Sequence, residues 1–261
     1  MNNSIIIMGA AGRMGTMIAT LAIEDGVSLA GMVERPEFVG RLSRWQCPVN
    51  SDAAAIMAAA PQAVVIDFTA PEASLAAARL AGRTGNPVVM GTTGFTPEQK
   101  EELAELALTV PLLWSPNMSV GVNVLLEILP QLARMLGDDY DLEMVEIHHN
   151  KKKDAPSGTA LRLAESMAAG RDWMLDDVAR CCREGIVGER PRQEIGIQAV
   201  RGGDVAGVHT AYFIGQGERI EITHHAHSRE NFARGALRAA RWMQRKHPGK
   251  LYSMQDVLRN I

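Results

Sequence analysis

The sequence predicts an α/β fold in two domains: a parallel sheet wrapped by helices, then an α+β domain built on a mostly antiparallel sheet. Three observations predict it. Residues 1–117 alternate short apolar runs with amphipathic stretches. A glycine-rich turn stands directly between the first run and the first helix. Beyond Asn117 the texture changes to longer, alternating segments. Strands that are near-continuously apolar and separated by helices read as parallel βαβ units with both faces covered.

Taken in order, Ile5–Met8 is a buried-type strand ending at Gly9, and Met14–Ile23 reads as a helix. Ser28–Val33 is a second strand, ending at Glu34. Ala63–Phe68 is a third, followed by a helix start at Thr69-Ala-Pro-Glu72. Pro87–Met90 is a fourth, closed by Gly91-Thr-Thr-Gly94. Thr96-Pro97-Glu98 opens a charged helix with proline at its first position. Pro111–Trp114 is a fifth strand, ending in Ser-Pro-Asn. In the second half, Gly121–Met135 reads as helix, Tyr140–His149 as strand, and Ser157–Ala169 as helix. Gly170–Arg192 is polar and reads as irregular. Glu194–Arg201, His209–Gly215 and Glu218–His224 suit an antiparallel sheet. Arg229–Arg245 is a long amphipathic helix, expected to return to the first domain.

Bulk properties narrow the function. At 261 residues the chain accommodates one large or two modest domains, and 46% apolar content supports a full core. A formal charge of -3 gives no general pull toward nucleic acid or anionic membrane. The three cysteines (Cys47, Cys181, Cys182) form no C-x-x-C pair, so neither a disulfide framework nor a metal site is expected. The N-terminus lacks the pattern of a signal peptide. No apolar run approaches the ~18 residues of a bilayer span. A cytoplasmic location is the expectation.

Gly9-Ala10-Ala11-Gly12-Arg13-Met14-Gly15 joins strand to helix. Glycines permit a tight turn and close approach of backbone N–H groups to a pyrophosphate, and the helix N-terminus adds partial positive charge. The order strand, glycine turn, helix marks a Rossmann-type domain, although such a turn also occurs without a ligand. The second strand ends in Glu34-Arg35, about 20 residues on, where a ribose-reading residue belongs. A carboxylate there can bond both hydroxyls of an NADH ribose, and an arginine beside it can pair with the 2′-phosphate of NADPH. A solvated charge pair is the alternative. The loops Gly91-Thr92-Thr93-Gly94 and Ser115-Pro116-Asn117-Met118 follow strand ends, where doubly wound sheets bind ligands.

The run Glu146 to Ala160 (EIHHNKKKDAPSGTA) is the most informative in the chain. Two histidines end a strand, lysines follow, and Asp-Ala-Pro-Ser-Gly-Thr opens a helix with exposed N–H groups. Histidine and lysine can donate protons, and helix-start amides can hold carboxylates. Together they suit reduction of a small carboxylated, imine-like or enone-like substrate. Each feature has a plainer reading: a lysine run as a solvated loop, Asp-x-Pro-Ser as a cap.

The chain resembles the dihydrodipicolinate reductase (4-hydroxy-tetrahydrodipicolinate reductase) family. The resemblance rests on His148-His149-x-x-Lys152-x-Asp154-Ala-Pro-Ser-Gly158-Thr159-Ala160, on Gly9–Gly15, Asp67-Phe68-Thr69, Gly91–Gly94 and Ser119–Asn123, on Arg201-Gly202-Gly203 with His209, and on Ile222-Thr223-His224. It implies hydride transfer from NADH or NADPH to 4-hydroxy-tetrahydrodipicolinate, with loss of water, on the diaminopimelate route to lysine. It implies His148 as general acid/base, Lys152 as proton donor, and His149, Gly158 and Thr159 as contacts to a small dicarboxylate substrate. It implies cofactor contacts at Gly9 to Met14, Glu34, Arg35, Gly91 to Thr93, and Ser115 to Met118, with no metal. The domains expected are 1–118 plus 229–261 for the dinucleotide and 119–228 for substrate binding and oligomerisation, the latter giving a homotetramer. Position 225 is histidine where the family pattern has lysine, and 115–118 reads Ser-Pro-Asn-Met rather than Ala-x-Asn-Phe.

Two rivals remain at this level. One is a Rossmann oxidoreductase for another carboxylated substrate, such as an amino-acid semialdehyde; a thioester-forming semialdehyde dehydrogenase would need a nucleophilic cysteine near the nicotinamide, and no cysteine ends a strand of the first domain. A regulatory protein that only binds NAD(H), touching nucleic acid through Lys151 to Lys153, would need a DNA-reading element that the sequence does not offer.

Overall fold

The structure, a computed structural model, describes residues 4–259. The outer ends of the expected first domain, residues 1–3 and 260–261, lie outside the described residues. The chain divides into two compact units, one made of residues up to Val120 together with those from Glu230 onward, the other of Gly121–Arg229. These borders fall one or two residues from the expected ones.

The first unit is a seven-stranded sheet with every pairing parallel. Its strands are β1 (Ser4–Met8), β2 (Ser28–Val33), β3 (Val49–Asn50), β4 (Val64–Asp67), β5 (Val88–Met90), β6 (Leu112–Trp114) and, from the far end of the chain, β12 (Leu251–Tyr252), in the order β12-β6-β5-β4-β1-β2-β3. The order reverses between β1 and β4, which is the switch point of a doubly wound sheet. Successive residues of a strand face opposite sides. Ile5, Ile7, Ile66 and Val89 therefore bury against α1 (Arg13–Glu24), α8 (Glu230–Met243) and α9 (Met254–Arg259). Ile6, Val65, Val88 and Met90 bury against α2 (Ala53–Ala59), α3 (Pro71–Thr84) and α4 (Pro97–Leu106). That two-sided burial is why these strands read as unbroken apolar runs. Helix α4 opens with a full capping box between Thr96 and Gln99.

The sequence reading gave no element between Arg35 and Ala63. The structure has a 3-10 turn at Pro36–Leu42, the two-residue β3, and α2 capped by Asp52. Each is too short to show a period. The same holds for β12 and α9.

The second unit holds a five-stranded sheet in the order β11-β10-β7-β9-β8. Its strands are β7 (Asp141–His148), β8 (Ala179–Arg180), β9 (Ile195–Arg201), β10 (Gly207–Ile214) and β11 (Arg219–Ala226). The sheet is mixed, with most of its paired residues antiparallel. β10 runs antiparallel to β7 and β11, but β9 runs parallel to β7 and β8. The reason is the long crossover from β7 to β9, which carries α6 (Gly158–Ala169) and α7 (Leu175–Val178) and returns the chain to the same edge direction. Part of the Gly170–Arg192 stretch, expected to be irregular, is thus α7 and β8.

One face of this sheet is covered by α5 (Val120–Leu136) and α6, through Leu142, Met144, Phe213, Leu129 and Met167. The described residues contain one segment, Val120–Asp139, long and apolar enough to meet the length and composition of a bilayer span. The expectation concerned unbroken apolar runs, and this segment is not one, since Asn123 and Glu127 lie within it. Gln131 and Arg134 interrupt its apolar run, and its stripe Val122, Leu125, Leu129 and Ala133 packs into the core of the unit.

Candidate active site

In the first unit the glycine turn closes at the carboxyl end of β1. Gly9 has φ +64, and a Cβ there would sit 2.7 Å from Thr69 Cγ2. Gly12 caps α1 with no side-chain bond, and no acidic residue occupies the first turn. The helix N-terminus therefore keeps its N–H groups and partial positive charge for an anion. Beside it, Glu34 Oε2 accepts the Ala11 N–H at 2.9 Å and Oε1 accepts the Arg35 N–H at 2.9 Å. Arg35 and Arg41 both stack on the Phe38 ring, at 4.7 and 4.3 Å from its centroid. A cavity of about 940 Å³ is lined by Gly9, Ala11, Gly12, Glu34, Arg35 and Phe38, among others. Its size and its glycine cradle fit a dinucleotide.

Not every expected cofactor residue lines this cavity. Ala10 is fully buried, its N–H bonded to the Val33 carbonyl. Arg13 is exposed and Met14 half-buried, outside the cavity lining. A Cβ on Gly91 would fall 2.2 Å from the Phe68 ring, so that glycine is required by packing. Thr92 is buried, and its hydroxyl accepts from the Thr69 N–H and from Ser74 Oγ. Thr93 is exposed. Ser115 is buried and donates to the Asn117 carbonyl, while Met118 belongs to the core. Pro116 and Asn117 are half-buried.

In the second unit, alternation along β7 puts Leu142, Met144, Glu146 and His148 on the covered face. Glu146 is fully buried. Its Oε2 lies 2.6 Å from His148 Nδ1 and 2.7 Å from Arg201 Nη1, and its Oε1 accepts from Arg201 Nη2 at 2.7 Å and from the Ser157 N–H at 3.0 Å. Burial alone would push Glu146 up, but Arg201, His148 and the Ser157 N–H together hold its carboxyl below the usual range. Burial depresses His148, with Lys152 and Arg201 acting the same way and Glu146 opposing them.

Ser157 caps α6 by accepting the Ala160 N–H, and its Oγ lies 3.1 Å from His209 Nε2. His209 packs edge-on against His148 and is pushed down to about 3, chiefly by burial. The loop from His149 is tied down by backbone bonds, His149 N–H to Val205 and Asn150 N–H to Gly203. Lys152 Nζ pairs with Asp154 at 2.9 Å, and Arg201 also donates to the Asp154 carbonyl. Lys151 and Lys153 are exposed. Gly158 is exposed and Thr159 half-buried at the first turn of α6.

His148, His149, Lys152, Gly158 and Thr159 thus belong to one strand end, one loop and one helix start. Glu146, Ser157, Arg201 and His209 join them; the sequence reading had given Ser157 only a capping role and the other three no role in the site. The signal for Glu146 was its place two residues before His148 on an alternating strand. His225 is exposed on the edge strand β11. Among the described residues no group of three or more His, Cys, Asp or Glu could hold a metal ion. Burial pushes the Cys47 thiol up, the opposite of an activated nucleophile.

Two family models, the N-terminus and the C-terminus of dihydrodipicolinate reductase, match residues 3–118 and 121–258. This chain belongs to the dihydrodipicolinate reductase family. It is 63% identical over 259 residues to the 4-hydroxy-tetrahydrodipicolinate reductase of Nitratidesulfovibrio vulgaris (strain DSM 19637 / Miyazaki F), covering 99% of this chain and all of that one. It is 55% identical to the enzyme of that name from Lawsonia intracellularis, covering 99% of this chain and all of the other. Among solved structures it is similar to a dipicolinate-bound dihydrodipicolinate reductase from Paenisporosarcina sp. TG-14, with TM-score 0.77 and 23% identity over 98% of this chain and 99% of that one. A weaker likeness in fold, TM-score 0.60 at 12% identity, extends to an amine dehydrogenase of Mycobacterium smegmatis, covering 96% of this chain and 95% of that one. The family's enzymes are reductases that use a nicotinamide nucleotide, and this chain is one of them.

Proposed function

We propose that the chain reduces 4-hydroxy-tetrahydrodipicolinate to tetrahydrodipicolinate and water, using NADH or NADPH, on the diaminopimelate route to lysine. The observation that carries the reading is the His148-to-Thr159 run, in which His148 and Ser157 both bond to the buried carboxylate of Glu146. The bound nicotinamide supplies the hydride. The protein's own residues bind, orient and move protons. His148 is the acid/base group, and Lys152 donates a proton to the reduced ring. His149, Gly158 and Thr159 hold a carboxylate of the substrate, aided by the N-terminus of α6, a helix of 12 residues. The dicarboxylate class is supported by the ligand named for the Paenisporosarcina relative.

For the cofactor, Gly9 to Met14 receive the pyrophosphate, and Gly91 to Thr93 and Ser115 to Met118 shape the nicotinamide end. Thr92, Ser115 and Met118 act there through backbone placement, since their side chains face inward. Glu34 keeps one further lone pair on each oxygen for ribose hydroxyls, while Arg35 and Arg41 flank Phe38 where a 2′-phosphate would be met. Both cofactors are therefore accepted. A cytoplasmic homotetramer is part of the same reading, assembled through the open face of the five-stranded sheet, where Val200 and Ile214 are exposed. Purified protein should oxidise NADH and NADPH only when supplied with the product of dihydrodipicolinate synthase. Absence of turnover under those conditions would overturn the assignment.

A further inference from the structure

The geometry points to Glu146 as the positioning residue for His148, with Arg201 clamping Glu146 and the lysine-bearing loop into one rigid unit. The inference rests on the reading of His148 as the acid/base group. Glu146 lies on the same face of β7, two residues away, and its carboxylate takes His148 Nδ1 at 2.6 Å. An ionised carboxylate only accepts, so the Nδ1 hydrogen belongs to this bond and Nε2 becomes the atom that exchanges protons. The space beside Nε2 is kept by Gly207, where a Cβ would come within 3.0 Å of that nitrogen.

Arg201 gives the carboxylate two further bonds from β9 and reaches the Asp154 carbonyl with the same guanidinium. One planar cation thus fixes the orientation of the histidine and the path of the loop that carries Lys152. A buried glutamate paired with arginine is often only structural. Here it is bonded directly to the ring whose protonation the reaction needs, and the Ser157 N–H fills its remaining site. The charged and titratable groups facing His148 are Glu146 from its own strand, Arg201 from β9, His209 from β10 and Lys152 from the loop. Of these only Glu146 favours the imidazolium. Replacing it by a neutral isostere removes that support and must lower the affinity of His148 for its proton.

The test compares wild type, Glu146→Gln and His148→Gln, with kcat and kcat/KM followed against pH and NADH affinity measured separately. His148→Gln should abolish one limb of the profile. Glu146→Gln should shift that limb to lower pH and reduce kcat by about 10-fold to 100-fold, a part of what general acid–base catalysis supplies. NADH affinity should stay unchanged. If His148→Gln keeps both the limb and kcat, the role of His148 fails and the inference with it. If His148→Gln loses the limb while Glu146→Gln keeps its position and kcat, Glu146 is structural only. Should Glu146→Gln not fold, ¹⁵N-labelled histidine in wild-type protein decides the matter by NMR. A neutral His148 protonated at Nδ1 supports the inference, and one protonated at Nε2 overturns it.

Discussion

Gly15→Ala isolates the glycine turn from ordinary helix energetics. Gly15 lies inside α1, and in an open helix alanine is favoured over glycine by about 1 kcal/mol. Here the new Cβ would stand 2.5 Å from the Gly9 carbonyl oxygen and 2.6 Å from Ala10 Cα. Ordinary carbon contacts begin near 3.5 Å, so the clash is roughly 1 Å deep. Both obstacles are backbone, and no rotamer change relieves them. The turn must open, and overpacking of this kind costs about 1–3 kcal/mol. The net effect is destabilisation, with the loop amides displaced from the pyrophosphate position. Gly82→Ala is the control: it is also helical, in α3, and its nearest neighbour is Val110 Cγ2 at 3.4 Å. We expect Gly82→Ala to melt at or slightly above the wild-type temperature with unchanged NADH affinity. Gly15→Ala should melt lower and bind NADH at least about 10-fold more weakly, equivalent to about 1.4 kcal/mol. Calorimetric titration and thermal melts read both quantities. Wild-type binding and melting by Gly15→Ala would refute the steric argument.

Three further expectations concern the chemistry. Lys152→Ala should reduce kcat by about 10²-fold to 10⁴-fold without changing cofactor affinity, because a lysine that donates the proposed proton acts on the transition state; a loss confined to NADH binding in a direct titration would contradict this. Arg35→Ala and Arg41→Ala should raise the KM for NADPH by about 10-fold or more while changing that for NADH little, since a charge-assisted bond contributes about 1.5–3 kcal/mol; equal effects on both cofactors in steady-state assays would remove the 2′-phosphate role. His209 has a folded-state affinity for protons far below that of an unfolded histidine, so below the ordinary histidine range the unfolded chain binds more protons. Its contribution to stability is full above that range and is lost as pH falls toward about 3. His209→Gln should therefore flatten the fall in melting temperature between neutral and acid pH, and an unchanged slope would show that other groups control it.

Much of the fold was legible because it is written in periods and punctuation. β2 matches its expected bounds, Ser28–Val33, since two-sided burial demands an unbroken apolar run. α4 could be placed by Thr96-Pro97-Glu98, a helix-start signal that works within a few residues, and the structure adds a capping box to Gln99. The second sheet was harder. Strand direction is not encoded in alternation: β9 and β10 have similar sequence texture, yet one runs parallel to β7 and the other antiparallel. What decides between them is the crossover through α6 and α7, a property of the chain's path.

The candidate site divides in the same way. The sequence by itself brought together the residue types of the proposed chemistry, His148 and Lys152 with the Ser157-Gly158-Thr159 helix start, because local spacing along one strand, loop and helix carries them. It also determined the glycine turn, where only a missing side chain admits the backbone close to Thr69. Only the tertiary structure decided which residue holds His148. Arg201 is 55 positions from Glu146 along the chain, and His209 is 52 from Ser157, and they meet because β9 and β10 pair on either side of β7. It likewise decided that Thr92 and Met118, which resemble binding residues in the sequence, face inward. Spacing along a chain fixes what neighbours share, whereas burial and long-range pairing exist only once the sheet has formed.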